Sequence, residues 1–200
     1  MEKMESIEQI LREPLRRVID ETTSEPVSLM LESLKASFVS ANNEIGANSI
    51  AIQQAVFEIQ NNYIRVFKLF KNKDFYAAWC LLERIEIDIK WLLRHYDPID
   101  DEYKILFIKQ YVHQLQGLFP YKLFGSSEYI KKLAKCSICG TVITLRNRCR
   151  HKKGELYMGQ RCSHEILEAE MLAIAVVEVP FNKYSVFGVT SKEDDPYSYP

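Results

Sequence analysis

Apolar side chains recur at steps of three and four residues through the first 130 positions, which is the period of an amphipathic α-helix. The clearest segment runs from Phe75 to Tyr96, and a second long one from about Asn48 to Phe70. In the first of these, the recurring apolar positions are Ala78, Leu82, Ile85, Ile89 and Leu92. Both segments are predicted to be helices with one buried face.

Capping and breaking residues divide this region into helices with short connections. A charged helix is predicted from Ser6 to about Thr22, bent or broken near Pro14 because proline cannot donate to the helical ladder. Ser24 is a candidate N-cap for the next helix, and Asp100 or Asp101 for the last one. The fold is therefore predicted to be mainly α, with a bundle of about five helices at the N-terminus.

The pattern changes after about residue 125. Ser126 or Ser127 is a candidate cap for a short basic helix that leads to Cys136. The β-branched residues 141–145 indicate a strand, with residues 155–158 returning beside it as a hairpin. Residues 165–177 are predicted to form an apolar helix or strand.

Three units follow from these changes. Residues 1–125 are predicted to be a helical bundle domain. Residues 126–180, in which four of the five cysteines cluster, are predicted to be a small α+β zinc-binding module that consists of a hairpin plus a helix. Residues 181–200 form an aromatic C-terminal tail.

Four of the five cysteines lie close together in the chain, in company with two histidines. Clustered cysteines in a reducing compartment are more often metal ligands than disulfides. Zinc prefers four ligands at tetrahedral angles, drawn from Cys sulfur and His nitrogen. The candidates are Cys136, Cys139, Cys149, His151, Cys162 and His164.

The ligand pattern resembles the treble-clef and zinc-ribbon classes of zinc finger over residues 136–164. Cys136-Ser-Ile-Cys139-Gly140 has the form of a zinc knuckle, and the resemblance implies a helix that begins near Cys162. The usual second ligand pair is replaced by two Cys-x-His pairs. Cys136, Cys139 and Cys162 are the first choices, Cys149 or His151 is the fourth ligand, and His164 is the reserve. One structural Zn²⁺ is expected.

Charge is segregated along the chain, whose formal net charge is −1. Between Lys131 and Arg161 lie nine basic residues and one acidic residue, so this stretch carries a net charge of +8. A concentrated positive charge is the expected electrostatic footprint of a nucleic-acid binder. The residues proposed to contact DNA or RNA are Arg146, Arg148, Arg150, Lys152 and Lys153.

Other functions remain open at this point. The zinc site can be purely structural in a protein–protein adaptor, and the basic loop can neutralise the thiolates or dock on an acidic helical body. The helical domain is a candidate surface for a protein partner or for homo-oligomerisation. A metal-dependent nuclease is the enzymatic alternative, with His164 and Glu165 as its candidate pair, but the protein is more readily explained without catalysis.

Hydropathy bears on where the protein works. The longest apolar runs, such as Ala173 to Val177, are far shorter than the roughly 20 residues that span a bilayer. The N-terminus has no apolar signal-peptide core. The sequence therefore predicts a cytoplasmic protein without a membrane partner.

Overall fold

Five helices precede a small sheet region in the computed structural model, which describes residues 2–13 and 24–187. The fold of these residues is mixed α+β. The helices are α1 Glu2–Arg12, α2 Ser24–Ser40, α3 Glu44–Lys71, α4 Phe75–Leu92 and α5 Ile105–Gly117. The predicted break near Pro14 lies outside the described residues.

Side-chain caps set two of the helix starts. The Asn43 side chain accepts a hydrogen bond from the Gly46 N–H at 2.9 Å, so α3 begins four residues before the predicted start. The Asp101 carboxylate accepts the N–H groups of Leu106 and Phe107 at 2.8 and 3.0 Å. Both caps satisfy donors that the first helical turn leaves unpaired.

Helix α3 is the centre of the helical region, since α1, α2, α4 and α5 all contact it. Its apolar face and that of α4 supply fully buried side chains such as Ile50, Ile59, Leu82 and Ile85. Burial of one such side chain stabilises the fold by about 1.5–3 kcal/mol. None of the helices in the described part of the chain is long and apolar enough to cross a membrane.

Trp79 of α4 joins the helices to the chain that follows them. Its ring lies 5.1 Å from that of Phe119, 5.0 Å from Tyr121 and 6.0 Å from Phe124, the last nearly parallel. The Trp79 indole N–H donates to the carbonyl of Lys183 at 2.6 Å. This aromatic cluster fixes both the start of the sheet region and the segment that follows it.

The sheet region is antiparallel. Its strands are β1 Phe124–Cys136, β2 Val142–Ile143, β3 Leu156–Tyr157, β4 Gln160–Arg161 and β5 His164–Val177. One sheet has the order β2-β1-β5, and β3 pairs separately with β4. Strands β1 and β5 form a long two-stranded ribbon, whose register runs from Phe124 opposite Val177 to Cys136 opposite His164.

Residues 165–177, predicted to be a helix or a strand, form strand β5, so the helix expected to complete the module is absent from residues 126–180. The predicted basic helix before Cys136 is also wrong, because that segment is strand β1. Residues 155–158 do not pair with the 141–145 segment, because β2 pairs with β1 and β3 pairs with β4. Cross-strand pairing along the ribbon outweighs the local helix preference.

Candidate metal centre and the basic surface beside it

The knuckle begins where β1 ends. The Gly140 N–H donates to the Cys136 carbonyl at 2.9 Å, closing a turn around Cys139. Gly140 has φ +70°, a conformation that glycine adopts without the steric cost that other residues meet. The Cys136 N–H is held by the Thr141 carbonyl at 3.0 Å. The turn therefore brings the Cys136 and Cys139 thiols together.

Four ligand atoms converge at this turn. Those of Cys136, Cys139, Cys149 and His151 all lie within 4.8 Å of one another. Zinc–sulfur bonds of about 2.3 Å place tetrahedral thiolates about 3.8 Å apart. His151 Nδ1 is buried and has no hydrogen-bond partner among the described residues. The Cys₃His donor set, with this unpartnered nitrogen, fits a metal ion and suits zinc.

Cys162 lies beside this set. Its Sγ is 3.9 Å from the Cys136 Sγ, close to the edge length of a zinc-thiolate tetrahedron. Backbone bonds hold it there, because the Cys162 N–H donates to the Glu155 carbonyl and the Ser137 N–H donates to that of Ser163. Cys162 is therefore a fifth candidate donor next to the four that converge. The identity of the fourth ligand stays a prediction.

The thiols differ in their acidity. Burial opposes ionisation of Cys136, but the backbone N–H groups of Cys139 and Ile138 outweigh it and lower the Cys136 pKa to about 7. Burial, together with the neighbouring Cys136, raises the pKa of Cys162 to about 11. A positive ion at the cluster favours both thiolates, which repel each other without one.

The loop that follows His151 docks on the end of α4. The Gly154 carbonyl accepts the Trp91 indole N–H at 2.7 Å and lies 3.0 Å from His95 Nε2. Gly154 has φ +92°, and a Cβ there would lie 2.8 Å from the Arg94 guanidinium. These docking contacts were not predicted from the sequence.

The predicted nucleic-acid residues remain exposed. Arg146, Arg148, Arg150, Lys152 and Lys153 form the basic finger surface, and none of them has an ion pair within residues 2–13 and 24–187. Three other cations of the +8 stretch are neutralised. Lys132 pairs with Glu170 at 2.7 Å, Lys135 with Glu165 at 3.0 Å, and Arg161 lies 3.9 Å from Asp88.

A hollow of about 800 Å³ adjoins the metal cluster. Among the described residues, no acidic side chain lines it. Ile143 and Leu145 supply apolar wall, and Cys149 and His151 border the cluster. Its basic lining consists of Lys131, Lys132, Arg148, Lys152 and Lys153.

His164 and Glu165, the pair considered for nuclease chemistry, do not point towards one site. His164 lines the hollow, where burial and the nearby Lys131 and Lys153 lower its pKa. Neighbouring residues of a strand point to opposite faces, and the Glu165 carboxylate pairs with Lys135. The structure thus separates the candidate base from the candidate acid.

Comparisons with protein-family models, curated proteins and solved structures give no match to this chain. The zinc-finger resemblance therefore depends on the Cys/His cluster. The knuckle is present, whereas the ligand-bearing helix start implied by the resemblance is replaced by strand β5.

Proposed function

We propose that this protein binds nucleic acid through the basic finger surface, which one structural zinc ion holds in place. The observation that carries the proposal is the cluster of unpaired cations beside the metal centre and its acid-free hollow. Phosphate oxygens are ligands that arginine binds bidentately and that lysine attracts over longer distances. A phosphodiester backbone supplies many such oxygens at regular spacing.

The position of the cations favours this function over neutralisation of the metal site. One zinc ion with three or four thiolates carries a charge of about −1 to −2, which far fewer than nine cations would balance. Docking on the acidic helical body is supported only by Arg161, which reaches Asp88, among the basic residues of the described stretch. Arg148, Lys152 and Lys153 instead face the hollow.

Zinc has an architectural role in this proposal. Cys136 and Cys139, with donors from Cys149, His151 and Cys162, would hold it. The ion fixes the turn after β1 to the 149–162 loop, and so fixes the arginines between them relative to the hollow. The 146–153 segment contains no helix or strand, so its conformation depends on its ends being held.

A salt titration tests the proposal. Each neutralised phosphate releases condensed counterions, so about four contacts give a log–log slope of affinity against salt of roughly −3 to −4. Changing Arg146, Arg148 and Arg150 to alanine should reduce the steepness by about 2 to 3 and weaken binding to many sequences alike. Zinc content should not change, because none of the three is a metal ligand.

The matched control removes the same charge from the helical region. Arg65, Lys71 and Lys73 are exposed, and their change to alanine should leave the slope unaltered. Absence of binding at low salt, or an equal loss in both triple variants, would contradict the proposal. Duplex DNA, single-stranded DNA and RNA are titrated in parallel to identify the preferred ligand.

A further inference from the structure

The ribbon formed by β1 and β5 exposes apolar side chains along most of its length. Every residue from Glu165 to Val176 is exposed, so both faces of β5 are open to solvent. Residues 171–177 are nevertheless all apolar. Such an uninterrupted run is typical of a strand that is buried on both faces. Strand β5 is therefore exposed to solvent in a single copy, although its sequence is typical of a buried strand.

The exposed apolar residues are contiguous. Eight large side chains on two paired strands are each 43–65% exposed, whereas apolar residues scattered singly over a surface are ordinary. A contiguous patch of more than a few hundred Å² marks an interaction site. The eight are Tyr129, Ile130, Ile166, Leu167, Met171, Leu172, Ile174 and Val176.

The faces of the ribbon are better suited to docking than its edges. The register shifts at three places, between Glu128 and Tyr129 and on either side of Leu133. Such bulges increase strand twist and interrupt the ladder that an added strand would need to continue. A partner therefore meets side chains rather than unpaired backbone groups.

The small net charge of the ribbon limits the kinds of partner that it can bind. The ribbon carries three lysines and four glutamates, for a net charge of −1. The Lys132–Glu170 and Lys135–Glu165 pairs connect its two strands. A strongly charged partner therefore gains little here, and a second ribbon is not repelled.

We propose that the face of the ribbon that carries Tyr129, Met171, Ile174 and Val176 docks on the same face of a second copy of this chain. A two-fold arrangement makes the patch its own complement, because each contact occurs twice. The apolar side chains on that face of β5 then become interior. The five residues of the basic finger surface lie outside β1 and β5, although Lys131 and Lys132 of β1 also line the hollow.

The size of the ribbon sets the strength of the dimer. The thirteen residues of β1 span roughly 43 Å, and a face about 10 Å wide then offers on the order of 400 Å² per copy. Stable interfaces usually bury about 800 Å² per partner. The dimer is therefore reversible and depends on concentration in the micromolar range.

Sedimentation equilibrium of the full chain, free of nucleic acid, provides the test. The mean mass should rise from 23.4 kDa towards twice that value between low micromolar and several hundred micromolar protein. Changing Met171 and Ile174 to lysine should keep the mass at the monomer value. The matched control changes Ile45 and Ile99, which are 86% and 85% exposed, to lysine and should still dimerise.

Three results would overturn the proposal. Wild-type protein that stays monomeric throughout the range shows that no second copy covers the ribbon, and a partner of different sequence becomes the explanation. A dimer that persists in the folded Met171→Lys, Ile174→Lys variant places the interface elsewhere, as does equal loss in the control. If the lysine variant fails to fold, Ile174→Ser, Val176→Ser replaces it with the same expected loss.

Discussion

At the scale of single residues, the candidate metal centre brings together thiols that can both ionise only beside a positive ion. Cys136 and Cys162 lie 3.9 Å apart at Sγ, and their pKa values are driven in opposite directions, to about 7 and about 11. A zinc ion that bound both thiolates would remove this difference in acidity. The buried, unpartnered His151 Nδ1 has the same requirement for a partner.

The first prediction concerns metal content. Purified protein should contain about one zinc per chain, because the donors surround one tetrahedral position. The Cys136→Ser, Cys139→Ser double variant should contain almost none, as measured by elemental analysis. Cys80→Ser is the control, since Cys80 lies on α4 away from the cluster, and it should retain full occupancy. Full occupancy in the double variant would contradict the site.

The sequence identified the centre because the knuckle is local. Cys136 and Cys139 are three residues apart, and Gly140 supplies the turn, so nearby positions alone predict their approach. The distances from Cys149, His151 and Cys162 to that pair depend on how two loops fold back. Spacing along the chain does not fix those distances. For this reason the candidates could be named, but the fourth ligand could not.

At the scale of elements, the segment after β5 returns to the helices through Lys183. Its ammonium group contacts Glu86, lies 2.8 Å from Gln116 Oε1 and lies 3.6 Å from Glu83 Oε2. The Glu83 side chain is almost fully buried, and it also accepts the Lys183 backbone N–H at 3.0 Å. A buried carboxylate without its cation is strongly destabilising.

The second prediction is that Lys183→Met lowers the free energy of unfolding by about 2–4 kcal/mol at neutral pH. Burial opposes the ionised form of Glu86, but hydrogen bonds from Lys183 and Lys90 outweigh it and lower the Glu86 pKa below 4.5. A lowered carboxyl pKa stabilises the fold above the unfolded value and loses that effect as pH falls through the folded value. The difference in the free energy of unfolding between the variant and the wild type should therefore shrink below about pH 4.5.

Denaturant unfolding at pH 7 measures the loss of stability in the Lys183→Met variant. The same measurement at pH 3.5 shows how far that loss decreases in acid. The control is Lys90→Met, because Lys90 also pairs with Glu86, at 2.9 Å, but is 68% exposed. An exposed pair contributes less than about 1 kcal/mol. Equal losses from the two variants would show that burial of Glu83 is not what makes Lys183 matter.

The helices followed the sequence closely, whereas the ribbon did not. Helical periodicity and caps such as Asp101 are local signals, and they specify α2 to α5 within a few residues. Strand β5 contains Glu, Ala, Leu and Met, which favour helices in isolation. Its pairing with β1, whose partner residues lie 28 to 53 positions away along the chain, decides its conformation. Helix propensity depends on the residues of the segment itself, so it gives no information about a distant partner strand.

At the scale of the whole molecule, residues 136–164 form a finger that is attached to the helical region. This finger does not belong to the main hydrophobic core of the helices. Within the described residues, the fully buried side chains of that core lie outside 136–164, with only Leu156 packed at its margin. Attachment depends instead on polar contacts with α3 and the end of α4. The Gly159 N–H donates to Asn48 Oδ1 at 2.7 Å, and Arg94 pairs with Glu155 at 3.1 Å. The Trp91 indole donates to Gly154 and carries the Arg161 guanidinium 4.8 Å above its ring. Unfolding of residues 136–164 should therefore change the surroundings of Trp91 and leave the helices folded.

The last prediction follows from this arrangement. Removal of zinc by a chelator should unfold residues 136–164, because the ion holds their ends together. The helical circular-dichroism signal should be largely retained. Trp91 loses its bond to Gly154 and its cover by Arg161, so its fluorescence should shift to longer wavelength. Trp79, enclosed by Phe119 and Tyr121, should not respond.

Two single-tryptophan variants separate these signals. Trp79→Phe leaves Trp91 as the reporter, and Trp91→Phe leaves Trp79. Chelation should change the spectrum of the first and not of the second, and added zinc should reverse the change. If the helical signal and the Trp79 spectrum are instead lost together with zinc, the finger and the helices fold as one unit. The metal then stabilises the entire fold, because a ligand bound only by the native state stabilises every part that unfolds with its site.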